Sequence, residues 1–536
     1  MSNAKDYAQE IEQIQNLLDG GEVTQALNAT KQILAQEPNN PNLQFCCSGI
    51  FIDCGSVLKD IQLVEAGITL IEDLLKGNAN QPSLYRGILH YNLSNGYAEI
   101  GALKRDSNSK DGELEAFQKQ KQILQKVLLE KENLPDELLS RAMSNYANLL
   151  DHLGRTVEAV DRYYDCLEIA PEHATAMGNC GSALQRLLNI SPAYNDKILY
   201  EAWQLMKKAN QHKDNLIRLS GRHMISHYKD SLKNFENYIE SVIPGGCIGL
   251  EKRISEFEKA HEWQPSSTLD KLKKDRLLLT VNPQPSNCPS EYKDNIFLER
   301  IISATDESGQ KLFQALGHTF NHMKEDFATA RYLYYQSQSQ EPSLLEVSTI
   351  TSYVDTLDYA DFGLRSGFLK SSLRLAADLL DKCAGFLNLY LDLQHPEDKV
   401  ILNNVWYKNR QYKKGLLSSN QYLAALHDLN KDLYLGEYPA SFRNLRNEAT
   451  HKRLVLSWYG SLDKSDSSYS LKSFQTNVRF LLRMAKAAII YVAGVVMIEE
   501  QERELEYQKL GGENLIAPGL PFRIGSGLSD EVDTQT

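Results

Sequence analysis

Residues 141–171 read RAMSNYANLLDHLGRTVEAVDRYYDCLEIAP, with small or apolar residues at Ala147, Leu150, Gly154, Ala159, Tyr163, Cys166 and Pro171. This spacing predicts two helices joined by a tight turn. Ala147 and Ala159 let the pair approach closely, Gly154 makes the turn, and Pro171 ends the second helix. One such pair cannot bury its own apolar face, so the pattern calls for neighbours of the same kind.

Those neighbours are present. The spacing recurs with Leu17, Gly21, Ala26, Ile33 and Pro38, and again with Gly181, Leu184, Ala202, Met206 and Ala209, where the insertion NISPAYNDKI stretches the copy. Degenerate copies, marked by Ala66 and Leu70 and by the stretch from Ser94 to Leu103, fill the remainder to about residue 240. The pattern resembles the TPR helix-turn-helix repeat, position for position in residues 141–171. That resemblance implies a superhelix over residues 1–244 whose concave surface binds a peptide, a partner helix or another protein, or else scaffolds the domain behind it.

At 536 residues the chain exceeds what one hydrophobic core supports, so two or three units are expected. A composition 42% hydrophobic and 24% charged is that of a globular protein. The net charge of -12 argues against a surface that coats nucleic acid non-specifically, although a local basic site is compatible with it. The eight cysteines are scattered, without a CxxC pair or histidines at zinc-ligand spacing, and read as buried free thiols. No metal site or cofactor is expected. The start, MSNAKDYAQEIEQ, lacks the basic-then-apolar pattern of a secretory signal, which predicts a cytoplasmic protein. The longest apolar run, Ala487 to Ile498, falls short of the roughly 20 residues of a membrane span and reads as a core helix.

The repeat pattern breaks at Pro244-Gly245-Gly246, and residues 245–298, richer in Pro and Ser, read as a partly extended connector. Within it, Arg276 to Val281 fits either a strand or a tucked-in extended segment. From residue 299 to 510 long apolar-periodic stretches predict an amphipathic helical bundle, including LLEVSTITSYVDTLDY, NQYLAALHDLNKDLYL and SFRNLRNEATHKRLVLSWYG. Glu499 and Glu500 read as a solvated helix end, and residues 511–536 lack periodicity and read as a flexible tail or docking strap. The fold class expected is therefore all-α.

One motif in the bundle carries chemistry. Arg446 and His451 enclose four residues, and polar Asn447 directly follows the arginine. Pro439 and Ser441 are helix-start signals, so the motif is expected early in a helix. There Arg443, Asn447 and His451 share a face and Arg446 reaches in from the side. Histidine accepts a proton near neutral pH, and arginine keeps its charge and forks onto phosphate oxygens. Arg218 with His223, and Arg222 with His227, fit the same spacing inside the repeat half and read as surface or packing residues.

Set after EDFATARYLYYQSQ and LKSSLRLAADLLDKCAGFLNLYLDL, the motif resembles that of the HEPN superfamily, in particular members with N-terminal TPR-like repeats; the resemblance covers roughly residues 270–510. It implies a metal-independent endoribonuclease of a toxin, anti-phage or RNA-processing system. Arg446 and His451 would be its catalytic pair and Asn447 the polar neighbour, and two bundles would dimerise so that their motifs line one cleft. Attack by the RNA's own 2′-hydroxyl would leave 2′,3′-cyclic phosphate and 5′-hydroxyl ends, with Arg443, Lys452 and Arg453 adding positive potential for RNA. Some HEPN bundles only bind or dimerise, so a non-catalytic adaptor is the alternative.

Overall fold

The computed structural model describes residues 7–77, 83–107, 109–129, 133–190, 195–222, 224–259, 263–285, 288–298, 301, 307–408, 411–412, 420–435, 454–458 and 468–509. Arg443, Arg446, Asn447, His451, Lys452, Arg453, His223 and the tail from Gly511 lie outside the described residues. The protein is all-α: the described elements are helices apart from two pairs of very short strands. The chain divides into two compact units, one of Met1–Arg186, Leu199–Glu251 and Lys431–Phe442, the other of Leu187–Ile198, Lys252–Asn430 and Arg443–Thr536.

The first unit is a run of helical hairpins, in which Pro41–Leu58 packs on Ile61–Gly77, Ser83–Asp106 on Lys110–Leu129, and Asp136–His152 on Thr156–Ile169. Ala147 and Ala159 are fully buried, as two helices in close approach require. The turn at Gly154 follows from its left-handed backbone, φ 82°. Arg155 N donates to Leu150 O at 2.8 Å and Gly154 N to Asp151 O at 3.0 Å, which ties off the last carbonyls of the helix. Gly21, also at φ 82°, repeats this arrangement, with Glu22 N on Leu17 O at 2.8 Å and Gly21 N on Leu18 O at 3.0 Å.

The second unit is built on Glu307–Gln336, Leu364–Tyr390 and Leu471–Lys509, which pack pairwise on one another. From Phe474 to Val496 the last of these is buried on nearly every face. It is much longer than the apolar run that marks it in the sequence. The stretch Leu471–Glu506 is long and apolar enough to cross a membrane, yet 83% of its apolar window is buried inside the protein, which makes it a core helix.

Within residues 245–298 stand two α-helices, Gly246–Lys259 and Ser267–Lys274, and a short 3-10 helix, Pro289–Tyr292. Arg276 to Val281 forms no strand; it is a sequence of bends with Leu277, Leu278, Leu279 and Val281 buried. Arg331 locks this segment to the bundle by forking onto Asp294 at 2.9 and 2.7 Å while donating to Leu277 O at 2.8 Å.

The helix expected over LLEVSTITSYVDTLDY ends early: only Pro342–Thr349 is helical. Asp355 and Asp358 turn their carboxylates onto the backbone N–H groups of Leu357 and Ala360, at 2.9 and 3.2 Å, and such local bonds compete with the helix ladder. Leu357 and Tyr359 accordingly take left-handed backbones. The end of SFRNLRNEATHKRLVLSWYG is likewise no helix, because Val455–Ser457 pairs in parallel with Ser468–Ser470. Glu500 is not solvated: it is 1% exposed and accepts from Tyr390 Oη at 2.6 Å and Arg503 Nη1 at 2.7 Å.

Candidate functional site

The second unit fixes the chain at Asn420, ahead of the segment that carries Arg446 and His451, and again from Leu454 after it. On the near side stands Gln421–Leu435, set by Asn420 at its N-cap. This fully buried side chain accepts from Tyr422 N at 3.1 Å through Oδ1 and donates through Nδ2 to Val495 O at 3.2 Å and Glu499 Oε1 at 2.9 Å. One asparagine thus ends one helix and pins it to another. Tyr422 stacks on Tyr491, centroids 6.2 Å apart, over Gly494, where a Cβ would fall 2.6 Å from the tyrosine ring. Only glycine permits this approach.

On the far side the described chain resumes at Leu454, one residue after Arg453 and three after His451. Leu454 and Leu456 are buried, Asp361 N donates to Leu456 O at 2.6 Å, and Ala360 bridges Ser457. Ser366, at the start of Leu364–Tyr390, hydrogen-bonds both the backbone carbonyl, at 3.0 Å, and the carboxylate of Asp361. The strand leaving the motif is therefore clasped by the loop that opens a core helix. Asn420 was visible in the sequence as a polar residue before an apolar run; the clasp was not, since Ala360 and Ser457 are 97 residues apart.

The rival Arg-x4-His pairs are placed in part. Arg218 is an exposed arginine paired with Glu137 at 2.6 Å, and His227 packs edge-on to Tyr228, centroids 5.4 Å apart. Both are engaged as surface or packing residues. Elsewhere in the second unit His395 is fixed by Val405 O at 3.1 Å. Among the described residues no group of histidine, cysteine or acidic side chains could hold a metal ion. The eight cysteines are free thiols, six of them buried, and burial pushes the Cys166 thiol up to about 12.

The first unit contains a cavity of about 330 Å³ lined by Asn95, Glu99, Phe117, Gln120, Asn145 and His152 among others. Asn145 donates to Asn95 Oδ1 at 3.1 Å, and His152 meets Glu113 at 3.2 Å. The amide side chains of this lining, set beside Glu99, offer hydrogen-bond donors and acceptors of the kind an extended peptide backbone uses.

A three-helix core with a fourth helix feeding a short polar motif defines a helical-bundle domain in the C-terminal half. The family model described as LA2681-like HEPN matches residues 308–500, which supports a domain of the HEPN superfamily in this part of the chain, and the matched range includes the positions of Arg446 and His451. No curated protein matches the chain.

Proposed function

We propose that this protein is a metal-independent endoribonuclease of HEPN type, in which His451 takes the proton of an RNA 2′-hydroxyl and Arg446 holds the phosphate as charge develops on it. The observation that carries this reading is the HEPN match over residues 308–500 enclosing an Arg-x4-His motif of the family's form. Asn447 orients the imidazole or a phosphate oxygen, and Arg443, Lys452 and Arg453 supply the local positive charge that a protein of net charge -12 otherwise lacks. The helical repeats receive a peptide or protein partner, and the protein works in the cytoplasm as a toxin or anti-phage effector.

The active form in this reading is a homodimer. Supporting it is a run of exposed apolar side chains in the second unit, with Ile350 77%, Val354 82% and Leu357 87% exposed and Tyr359 and Trp458 beside them. Apolar surface of that kind marks a face made to be covered.

The test is cleavage of labelled total RNA and tRNA in EDTA. The parent protein is expected to leave 2′,3′-cyclic phosphate ends, and His451→Ala and Arg446→Ala each to lower the rate by about 100-fold or more. No cutting, or equal cutting by the variants, would show a binding adaptor instead.

A further inference from the structure

Four charged side chains are buried together in the first unit. Arg155, at the start of Thr156–Ile169, forks onto Glu158 with Nε–Oε2 at 2.7 Å and Nη2–Oε1 at 2.5 Å. Its Nη1 donates to Asp432, whose other carboxylate oxygen lies 2.8 Å from Lys121 Nζ on Lys110–Leu129. The side chains of Arg155, Lys121 and Asp432 are 1–3% exposed. Asp432 comes from the last turn of Gln421–Leu435, 277 residues beyond Arg155, and Leu433 beside it is also buried.

Pairing cations with carboxylates does not make such a buried group cheap. Taking such ions out of water costs several kcal/mol apiece, which their attraction offsets only in close, hydrogen-bonded geometry. Apolar residues would have filled the same space at less cost. What an ionic set provides instead is selectivity: Glu158 pairs with the guanidinium through two bonds, and Arg155 and Lys121 present converging donors to one carboxylate. Burial and the nearby Asp432 charge also hold the Tyr146 phenol well above its ordinary range.

We propose that Lys121 and Arg155, braced by Glu158, form a carboxylate-receiving site on the helical repeats, and that the site is filled by the chain's own Asp432. The partner it fits is an acidic helical peptide that presents an Asp as Gln421–Leu435 does. Such a partner competes with residues 431–435, which lead directly into the segment of Arg446 and His451. The consequence for RNA cleavage rests on the function proposed above; the binding itself does not.

The experiment uses the full chain and a fluorescent peptide of residues 421–435, QYLAALHDLNKDLYL. Asp432→Asn empties the site of its charge, so the variant is expected to bind the peptide at least about tenfold more tightly than the parent does, and to discriminate by a similar factor against the same peptide carrying Asp432→Asn. Equal binding by parent and variant, or no preference between the peptides, overturns the proposal. Arg155→Lys provides a second measurement should the first variant fold poorly. Hydrogen exchange is expected to speed up by about tenfold in residues 431–435 while Asp136–His152 stays protected, and unchanged protection in 431–435 counts against the site. Neither readout depends on RNA cleavage, so an inactive bundle and an absent carboxylate site give different results.

Discussion

The helix Leu471–Lys509 and the hairpin Asp136–Ile169 are both central to their units, but they are buried on different terms. Between Ala487 and Val496 the first presents alanine, isoleucine, tyrosine and valine to its neighbours, nearly all of them without exposure. Around the second, Arg155, Glu158, Asp161 and Lys121 are as inaccessible as any leucine. An apolar core is specified by volume, and losing a side chain costs roughly the transfer energy plus a cavity. An ionic core is specified by partners, and losing one strands the others.

Paired substitution separates the two kinds of core most clearly. Ile489→Ala is expected to cost about 2–5 kcal/mol and to add simply to a change at Asp432. Arg155→Ala is expected to cost about 3–5 kcal/mol alone, and much less on top of Glu158→Gln with Asp432→Asn, because fewer charges are then left buried without a counterion. Urea denaturation followed by helical circular dichroism measures both. Additive losses at Arg155 would mean that the ion set acts as independent pairs rather than one site.

A smaller effect comes from His173 in the first unit, which precedes Ala174–Leu187 and is 4% exposed. Its Nδ1 accepts from Ala176 N at 3.2 Å, while its Nε2 is buried without a partner. Burial lowers its pKa from 6.5 to about 4. A base with a depressed folded value contributes stability that is present above about pH 6.5 and lost as the pH falls toward 4, a loss of up to about 3 kcal/mol. His173→Asn keeps a cap acceptor and removes the titration, so its urea midpoint should fall less between pH 7 and pH 4.5 than the parent's. Parallel pH profiles would assign the acid sensitivity elsewhere, and the ion set around Arg155 would be the next place to look.

How legible each region was follows from the same contrast. The hairpin at 141–171 could be read because its turn and close contacts demand particular small residues, and the bundle helices because their apolar residues recur at the helical period. Irregular backbone was harder. Asp355 and Asp358 diverted a stretch with helical periodicity into turns, and Glu500 looked like a surface charge until Tyr390 and Arg503 closed on it. The Lys121–Arg155–Asp432 set was out of reach altogether, since charged residues at distant positions announce no periodicity. For Arg446 and His451 the sequence carried the motif, and the family match covers the residues around it.

The smallest effects test the turn itself. Pro41–Leu58 ends at Lys59, which takes the left-handed conformation at φ 57° without being glycine, and Asp60 N donates to Gly55 O at 2.9 Å as Arg155 N does to Leu150 O. This is the repeat turn with its sequence mark erased, which is why the copy in Pro41–Gly77 looks degenerate while those at Gly21 and Gly154 do not. If one backbone requirement underlies all three, substitutions should run in opposite directions. Gly154→Ala should destabilise by about 1 kcal/mol, the ordinary cost of placing a Cβ in that region. Lys59→Gly should relieve a similar strain, less the exposed ion pair that Lys59 makes with Asp106, for a net gain of a few tenths of a kcal/mol. Equal losses at both positions would mean that Lys59 is held by its side chain and that its hairpin is not a copy of the Gly154 turn.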